Sequence, residues 1–581
     1  MALTAGRTGA ALALGLQLLL APALRAQDSV IVIDPDAPPV DTLMRGGPPP
    51  DVVAELIAFY NDSATTRTVG DVTLPAGSSF EGRLASYRGT LRIAGRVRGP
   101  IAVANGTLHL QPGADVDGEI LVVGGRLIRA PGAHHTGAER VFWDAAPVWR
   151  EPEGRLVLRE RRRTLGELAT AKTSFQTGKV KTTLLLATGG TYNRIEGLPI
   201  VFGPSFELRP TAGSALRLDL RGTLRTAGEG NDLSSDFGYQ VRGEYRTEHF
   251  GVSGRLYSDL AAIEDQPLSL SESGWAAVLL QRDYRDYFER RGGGGWLWVQ
   301  PFPPLRFELS VRRDYETSVR AVDPWSLFRN SDQWRRNPLI DDGHFLTTGL
   351  QLDYDTRNDR DNPSTGWLIR TRFEHSSSDD VAPVILPEEI RPAIPLEDYG
   401  FNRFFFDLRR YNRLTPSLLL NARLRGDGWI NGDRLPMQRR VSIGGTDLLP
   451  GYDFRNTTCT PTGFSNPSEA ALCDRVLSAQ VEVRTRLALN LGYRVRDREG
   501  SPTGRFIGIE EADLVLLADA GTAWLAGDGP GQVPVNRIPK FDEWDVDLGV
   551  GLDAGPIGAY LAKGISEGGA VKFIVRLQRR F

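Results

Sequence analysis

The chain has 581 residues, 24% of them charged, a formal net charge of −3 and a mean hydropathy of −0.26. The near-neutral balance argues against a nucleic-acid partner. Beyond the N-terminus no run of apolar residues is long enough for a transmembrane helix. With 64 Gly, 15 Tyr and 11 Trp, the composition suits strands that alternate apolar and polar residues.

Residues 1–26 read as a secretory signal peptide. Arg7 supplies the positive charge, residues 10–20 are apolar but short for a membrane span, and Ala21 to Ala26 offers small-residue cleavage sites, with cleavage expected after Ala26. No Cys lies there to carry a lipid anchor. Residues 27–66, rich in Pro and Asp, read as a tether with one short helix candidate at 52–60; a tail without structure is the alternative.

Residues 67–142 repeat at a spacing of about 18, as expected of stacked coils in a β-solenoid. Turn glycines recur at Gly77, Gly95, Gly113 and Gly132, and second glycines follow in step at Gly82, Gly99, Gly118 and Gly137. Short β-type pieces lie between them, such as Leu91-Arg-Ile and Ile120-Leu-Val-Val. The segment resembles the bactofilin-like, polymer-forming β-helix domains; an ordinary small β-sandwich is the other reading. Residues 143–181 read as a linker whose basic cluster, Arg159, Arg161, Arg162 and Arg163, is either solvated or placed against lipid headgroups.

From residue 182 to residue 581 the period becomes two. Leu216, Leu218 and Leu220 alternate with Arg217, Asp219 and Arg221; Leu305, Phe307, Leu309 and Val311 alternate with Arg306, Glu308, Ser310 and Arg312. Charge of both signs on the polar face suits a wet lumen, and Trp296, Trp298, Phe404 to Phe406, Trp524 and Trp544 crowd strand ends as interfacial rings do. Counting back from a C-terminal strand that ends in the periplasm, segments 314–342, 378–399, 427–475 and 523–543 fall outside and short turns fall inside; segment 489–512 breaks the rule. The expected fold is all-β, a 16-stranded antiparallel transmembrane β-barrel with a small periplasmic β-solenoid-like domain. Its first strand begins near Pro199, with 182–188 as an additional or alternative start. Closure is the physical reason for a barrel, because lipid offers no partner to an unpaired backbone group. The two cysteines, Cys459 and Cys473, lie close together and read as one disulfide clamping one loop; two free thiols or half a metal site fit less well.

Several stretches carry a family resemblance. Asp355-Thr-Arg357 followed by Asn362-Pro363 and Gly366 looks like a periplasmic-turn motif. Arg282 to Gly292 looks like a strand-to-loop motif, and Ala518-Asp-Ala-Gly-Thr-Ala-Trp524 like a late strand. Gly444-Gly445 and Pro450-Gly451-Tyr452 look like a sixth-loop motif. The chain ends in Phe573, Val575, Leu577 and Phe581, like a C-terminal assembly signal on one lipid-facing strand. Together these resemble the Omp85 superfamily of bacterial surface antigens, whose barrels insert or translocate proteins at the outer membrane. The resemblance implies client polypeptides as partners beside outer-membrane lipid. Two departures stand out. The sixth loop of the family carries an Arg that reaches the barrel wall; here that position is Pro450, with Arg455 as a conceivable substitute. No POTRA domains are visible, and the solenoid-like segment stands in their place.

No catalysis and no cofactor are expected. Gly564-Ile-Ser-Glu-Gly568 fits G-x-S-x-G but joins two strands, Gly292 to Gly295 lacks the Lys of a phosphate loop, and Asp355 to Asp361 lacks the distal Glu of a calcium loop. His134-His135 reads as a solvated turn. Three functions stay open: a protein-assembly or translocation barrel, a passive channel, and an envelope protein that self-associates through its periplasmic domain.

Overall fold

The computed structural model describes residue 48 and residues 50–581, apart from 143–145, 147, 151–153, 159–169, 189–191, 209, 211–213, 228–236, 248, 265–267, 303, 330–332, 358–362, 396, 416–417, 495–505, 555–556 and 567. The signal peptide, most of the tether, the basic cluster at 159–163 and Asn362 therefore lie outside the described residues.

The N-terminal unit is a parallel β-solenoid. Leu84 pairs with Thr66 on one side and Ile101 on the other, Ile101 with Ile120, and Ile120 with Glu139, so equivalent residues stack coil upon coil. The recurrent glycines have a steric cause. A Cβ on Gly99 would meet the Gly82 carbonyl O at 2.2 Å, one on Gly118 the Gly99 O at 2.2 Å, and one on Gly137 the Gly118 O at 2.4 Å, all at positive φ. Leu91, Ile93, Val97, Val103, Leu108, Val116 and Val122 fill the interior. Helix α1 (Pro50–Asn61) lays Leu56 and Tyr60 over Ala85, Tyr87, Ala102, Ala104, Leu121 and Val123 on the outer face. His135 is occupied by the Gly118 carbonyl at 2.8 Å and by Glu139 at 2.7 Å. Within the expected linker, Val148–Arg150 pairs with Leu156–Leu158.

One antiparallel sheet forms the rest of the chain, with every strand beside its sequence neighbours. Its strands are β1 (Thr170–Thr177), β2 (Val180–Thr188), β3 (Ile200–Leu208), β4 (Ser214–Leu224), β5 (Phe237–Thr247), β6 (Phe250–Ala262), β7 (Tyr287–Phe302), β8 (Leu305–Ser318) and β9 (Gly343–Asp355). They continue as β10 (Gly366–Ser378), β11 (Tyr399–Arg413), β12 (Leu418–Gly432), β13 (Arg475–Arg494), β14 (Phe506–Trp524), β15 (Asp545–Asp553), β16 (Gly558–Gly564) and β17 (Lys572–Arg576). Helix α2 (Leu270–Leu280) interrupts the β6–β7 connection.

Seventeen strands stand where the sequence suggests about sixteen. The sheet starts at Thr170, inside the segment read as linker. There the alternation is muted, because Phe175 is the one large apolar residue of β1. One rim carries the long connections 263–286, 319–342, 379–398, 433–474 and 525–544, and short turns such as 178–179, 248–249 and 303–304 close the other. Of the exceptional segment 489–512, residues 489–494 belong to β13 and 506–512 to β14, which run further than their alternation shows; the rest lies outside the described residues.

Over most of the sheet the two faces separate. Leu216, Leu218, Val252, Leu256, Leu309, Val311, Leu350, Leu516, Leu548 and Val550 are exposed outward. Inward lie buried ion pairs, among them Arg403–Asp427 at 2.6 Å, Arg423–Asp407 at 2.9 Å and Arg484–Asp553 at 2.8 Å. A sheet that is greasy outside and ionic inside is the transmembrane barrel arrangement. Among the described residues no helix is long and apolar enough to cross a membrane.

Above the lumen the long connections pack into a dome. Ile340, Ile390, Met437, Leu472 and Leu525 form one apolar cluster there, and Val381, Tyr399, Leu435 and Ala526 belong to another. An ionic lock sits beside them. Arg194 lies within 3.2 Å of Asp283 and also pairs with Asp286, which receives Arg335 at 2.7 Å and Arg455 as well. Burial pushes the Asp286 carboxyl up, but Arg335, Arg455 and Arg194 outweigh it and hold the group below its ordinary range. A depressed folded-state value contributes stability above the unfolded value of about 3.9, and that contribution is lost as pH falls through the folded value. Proteolysis of the dome should therefore hold steady from about pH 7 to about pH 5 and rise only below about pH 4. Steeper cleavage already at about pH 5 would count against the lock.

Candidate functional site in the lumen and at the seam

The sixth loop, residues 433–474, folds back into the barrel. Its entry is pinned by isolated bridges between Val441 and Cys473 and between Ile443 and Thr457, and Cys459 and Cys473 form a disulfide across it. Gly444 and Gly445 adopt positive φ, and a Cβ on Gly444 would strike the Asn456 N at 2.5 Å. Leu448, Leu449, Pro450, Gly451 and Tyr452 are all buried. Gly451 lies so close to the wall that a Cβ would meet the Gly564 N at 2.5 Å and the Asp547 Cβ at 2.7 Å. Its N–H donates to Asp547 Oδ2 at 2.6 Å. The Tyr452 hydroxyl donates to the Val546 carbonyl at 3.0 Å and accepts from the Ser566 N–H at 3.3 Å.

With Pro450 in the Arg position, the loop anchors with opposite polarity. Asp447 faces Arg423 at 3.2 Å and Arg576 at 3.7 Å, and Gln480 Nε2 donates to the Asp447 carbonyl at 2.7 Å. Arg455 does not take the missing role at the lumen wall. It belongs to the dome lock, pairing with Asp286 and with Glu264 at 3.0 Å.

A guanidinium inserted against wall carboxylates is supplied instead by the C-terminal tail. Arg580 pairs with Asp519 of β14 at 2.6 Å and with Glu482 of β13 at 3.3 Å, and sits 3.5 Å from the Asp447 carbonyl. This corrects the expectation of one lipid-facing C-terminal strand. Phe573 and Val575 do face outward, 69% and 54% exposed, but β17 stops at Arg576 and residues 577–581 turn into the lumen. Leu577 is half-buried and Phe581 buried. Alternation places Phe581 outside only if the strand stays extended. Arg576 and Arg580, inward by the same alternation, find carboxylates within, but the chain turns after Arg576 and Phe581 is buried too.

Further contacts converge on this tail. Glu272 of α2 accepts from Arg576 Nε at 3.0 Å, from the Leu577 N–H at 2.7 Å and from the Gln578 N–H at 3.2 Å. Arg579 donates to the Pro363 carbonyl at 3.0 Å. Pro363 belongs to the turn motif, where Asp355 pairs with Arg357 at 2.8 Å and the Thr356 N–H donates to the Trp367 carbonyl at 2.8 Å. A Cβ on Gly366 would meet the Thr356 carbonyl O at 2.3 Å, which explains the glycine there. The sixth-loop motif thus meets the tail at Asp447, and the turn motif meets it at Pro363.

Two features escape sequence reasoning. The tail's partner Glu272 is about three hundred residues away and belongs to a helix with no motif. Near the last strands the lumen wall is apolar, with Val515, Leu517, Tyr560, Ala562 and Ile574 packed together. The unbroken run Leu514-Val-Leu-Leu517 is its one trace in the sequence. The Gly564–Gly568 stretch is the β16–β17 connection, and Ser566 Oγ donates to the Trp544 carbonyl at 3.2 Å. Among the described residues no three His, Cys, Asp or Glu side chains group to hold a metal ion.

At the seam, the first strand and the last strand share no hydrogen-bonded register among the described residues, and β17 offers only five residues to its neighbour. A wide ionic-lumened barrel, filled by its own sixth loop and C-terminus and with no pairing between its end strands among the described residues, is the class of membrane protein that these features define. Residues 283–496, within the barrel sheet, match the Omp85 superfamily domain. No match is found among curated protein sequences. Among solved structures, the chain is similar to BamA from Haemophilus ducreyi lacking POTRA domains 1–3, at 13% identity and a TM-score of 0.40, over 74% of each chain. It is also similar to CdiB from Acinetobacter baumannii, at 9% identity and a TM-score of 0.27, over 71% of this chain and 59% of that one. For CdiB from Escherichia coli the values are 9% and 0.29, over 70% and 63%.

Proposed function

We propose that this chain is an outer-membrane protein that inserts or translocates client polypeptides by opening between β1 and β17. The observation that carries this reading is the unpaired seam. In lipid, free strand edges are costly, and they offer an incoming strand a ready ladder of N–H and C=O groups. In this reading the long-loop rim faces outward, the short-turn rim and the solenoid face the periplasm, and the solenoid takes the place of client-receiving POTRA modules. The protein acts without catalytic chemistry or cofactor. A passive channel fits less well, because the sixth loop and the tail occupy the lumen.

The test is reconstitution of the purified chain into liposomes, followed by the folding of an added outer-membrane β-barrel client. Bridging Phe175→Cys on β1 to Val575→Cys on β17 with a bis-maleimide should lower client folding roughly tenfold or more, since the edges can no longer part. Either single-cysteine variant should fold client at the reference rate after the same treatment. Equal client folding by the bridged and unbridged chains would exclude the seam as the working site.

A further inference from the structure

We propose that Arg291 and Arg313 form a lipid-headgroup site on the outside of the barrel wall, where they take a phosphate monoester of a membrane lipid. The site lies on β7 and β8, toward the long-loop rim. It is remote from the chemistry of the seam, and its test needs no client, so it stands or falls apart from the function proposed above.

The argument starts from alternation. On β8 the outward residues Phe307, Leu309, Val311, Arg313 and Tyr315 are all exposed. The row that matches them on β7 is Val299, Leu297, Gly295, Gly293 and Arg291. Toward the long-loop rim an apolar face therefore ends in two guanidiniums and a tyrosine ring. Aromatic rings at the end of an apolar band mark the headgroup level. Arg291 faces Tyr315, and Gly293 faces Arg313, so the two arginines are diagonal neighbours on the ladder. Diagonal neighbours stand about 7–8 Å apart, within reach of one another's long side chains.

Both arginines are exposed, and among the described residues neither side chain forms a hydrogen bond, an ion pair or a ring contact. Carboxylates close by on these strands are engaged elsewhere. Glu289, two residues before Arg291, lies 3.4 Å from Arg225. Asp314, next to Arg313, is turned inward onto Arg312 at 3.2 Å. Asp380 holds His344 at 2.6 Å, and that imidazole stacks on Tyr315 with ring centres 4.6 Å apart. Two like charges side by side at the edge of lipid repel one another unless an anion lies between them. A phosphate monoester supplies that anion, and guanidiniums match its oxygens with paired, charge-assisted N–H bonds.

The surface below the pair favours a lipid over a free ion. Gly243 of β5, Gly254 of β6 and Gly295 of β7 stand opposite one another in a single row. Crowding does not require them there. A Cβ on Gly243 would meet no atom within 4 Å, and one on Gly254 or Gly295 would meet only a carbonyl O at 3.9 Å. Glycine weakens a strand interior, and it often marks a place where a ligand comes close to the backbone. The row leaves a shallow trench across three strands, bounded by Leu218 on β4 and Val311 on β8. An acyl chain can lie against the wall there while its headgroup reaches the arginines.

The experiment is native mass spectrometry of the purified full-length protein in detergent, titrated with bis-phosphorylated lipid A. The reference protein should retain the lipid. Arg291→Gln combined with Arg313→Gln should weaken its binding roughly tenfold or more, since the charge-assisted contacts are lost. These side chains hold nothing within the protein, so the double variant should keep the folded band of the reference on an unheated gel. If it does not, Arg313→Gln alone should weaken binding in the same direction. Lipid A stripped of its phosphates should bind the reference and the variant alike, and weakly. Inorganic phosphate in large excess should not displace the lipid. Equal affinity of reference and variant for lipid A overturns the proposal, as does equal affinity of the reference for lipid A with and without its phosphates. Displacement by inorganic phosphate overturns it too, because the pair would then be a site for the free ion.

Discussion

Arg580→Glu should release the C-terminal tail and cost about 3–5 kcal/mol of barrel stability, the range for breaking a buried ion pair and leaving its partner uncompensated. Arg580 is 1% exposed and faces Glu482 and Asp519, both fully buried. Glu482 keeps Arg484 at 2.9 Å, whereas among the described residues the ion pair of Asp519 is with Arg580 alone. A third carboxylate at that point would face Asp519, which has lost its cation, and Glu482, which keeps only Arg484. The measurement is the temperature at which the folded band is lost on an unheated detergent gel, together with digestion of residues 577–581 by carboxypeptidase. A variant that melts like the reference and keeps its tail protected would show that the guanidinium contributes nothing there. Arg580→Lys should fall between the two, since an ammonium keeps the charge but cannot reproduce the planar fork.

Gly451→Val should expel the tip of the sixth loop from the lumen. The added Cβ would lie 2.5 Å from the Gly564 backbone N and 2.7 Å from the Asp547 Cβ, and backbone at that distance cannot yield as the end of a flexible side chain can. With the tip displaced, Asp547 loses the Gly451 N–H at 2.6 Å and Val546 loses the Tyr452 hydroxyl. Overpacking of this kind costs about 1–3 kcal/mol, and an orphaned buried carboxylate adds to it. The loop should become cleavable by added protease between Asp453 and Arg455, and single-channel conductance in planar bilayers should rise from a low reference level. Unchanged cleavage and conductance would mean that the loop does not fill the lumen as described.

How much of this was legible beforehand depended on the range of the interaction. The alternation of Leu216, Leu218 and Leu220 with Arg217, Asp219 and Arg221 depends on neighbours along one strand, so it announced both faces of the sheet. The glycine repeat of the solenoid was equally local, since each coil meets the next at a fixed offset. The pairing of Cys459 with Cys473 could be read because the chain holds two cysteines in one loop. Strand β1 was missed because Lys172, Ser174 and Gln176 leave almost no apolar alternation to detect.

The candidate site was legible only in part. The motif around Gly451 and Tyr452 pointed to a loop that enters the barrel, and Pro450 flagged the absent guanidinium. That Arg580 would supply one could not be read, because its distance from Glu482 and Asp519 is set by the curvature of the sheet and by the turn after Arg576, and neither leaves a periodic mark. By itself, then, the sequence determined what repeats: strand faces, coil stacking and the order of the motifs. The tertiary structure alone decided which distant charges meet, because ion pairs across a lumen arise only after the sheet has closed around them and water has left. The inward turn of the last strand, with Glu272 and Asp519 as its partners, belongs to that second kind.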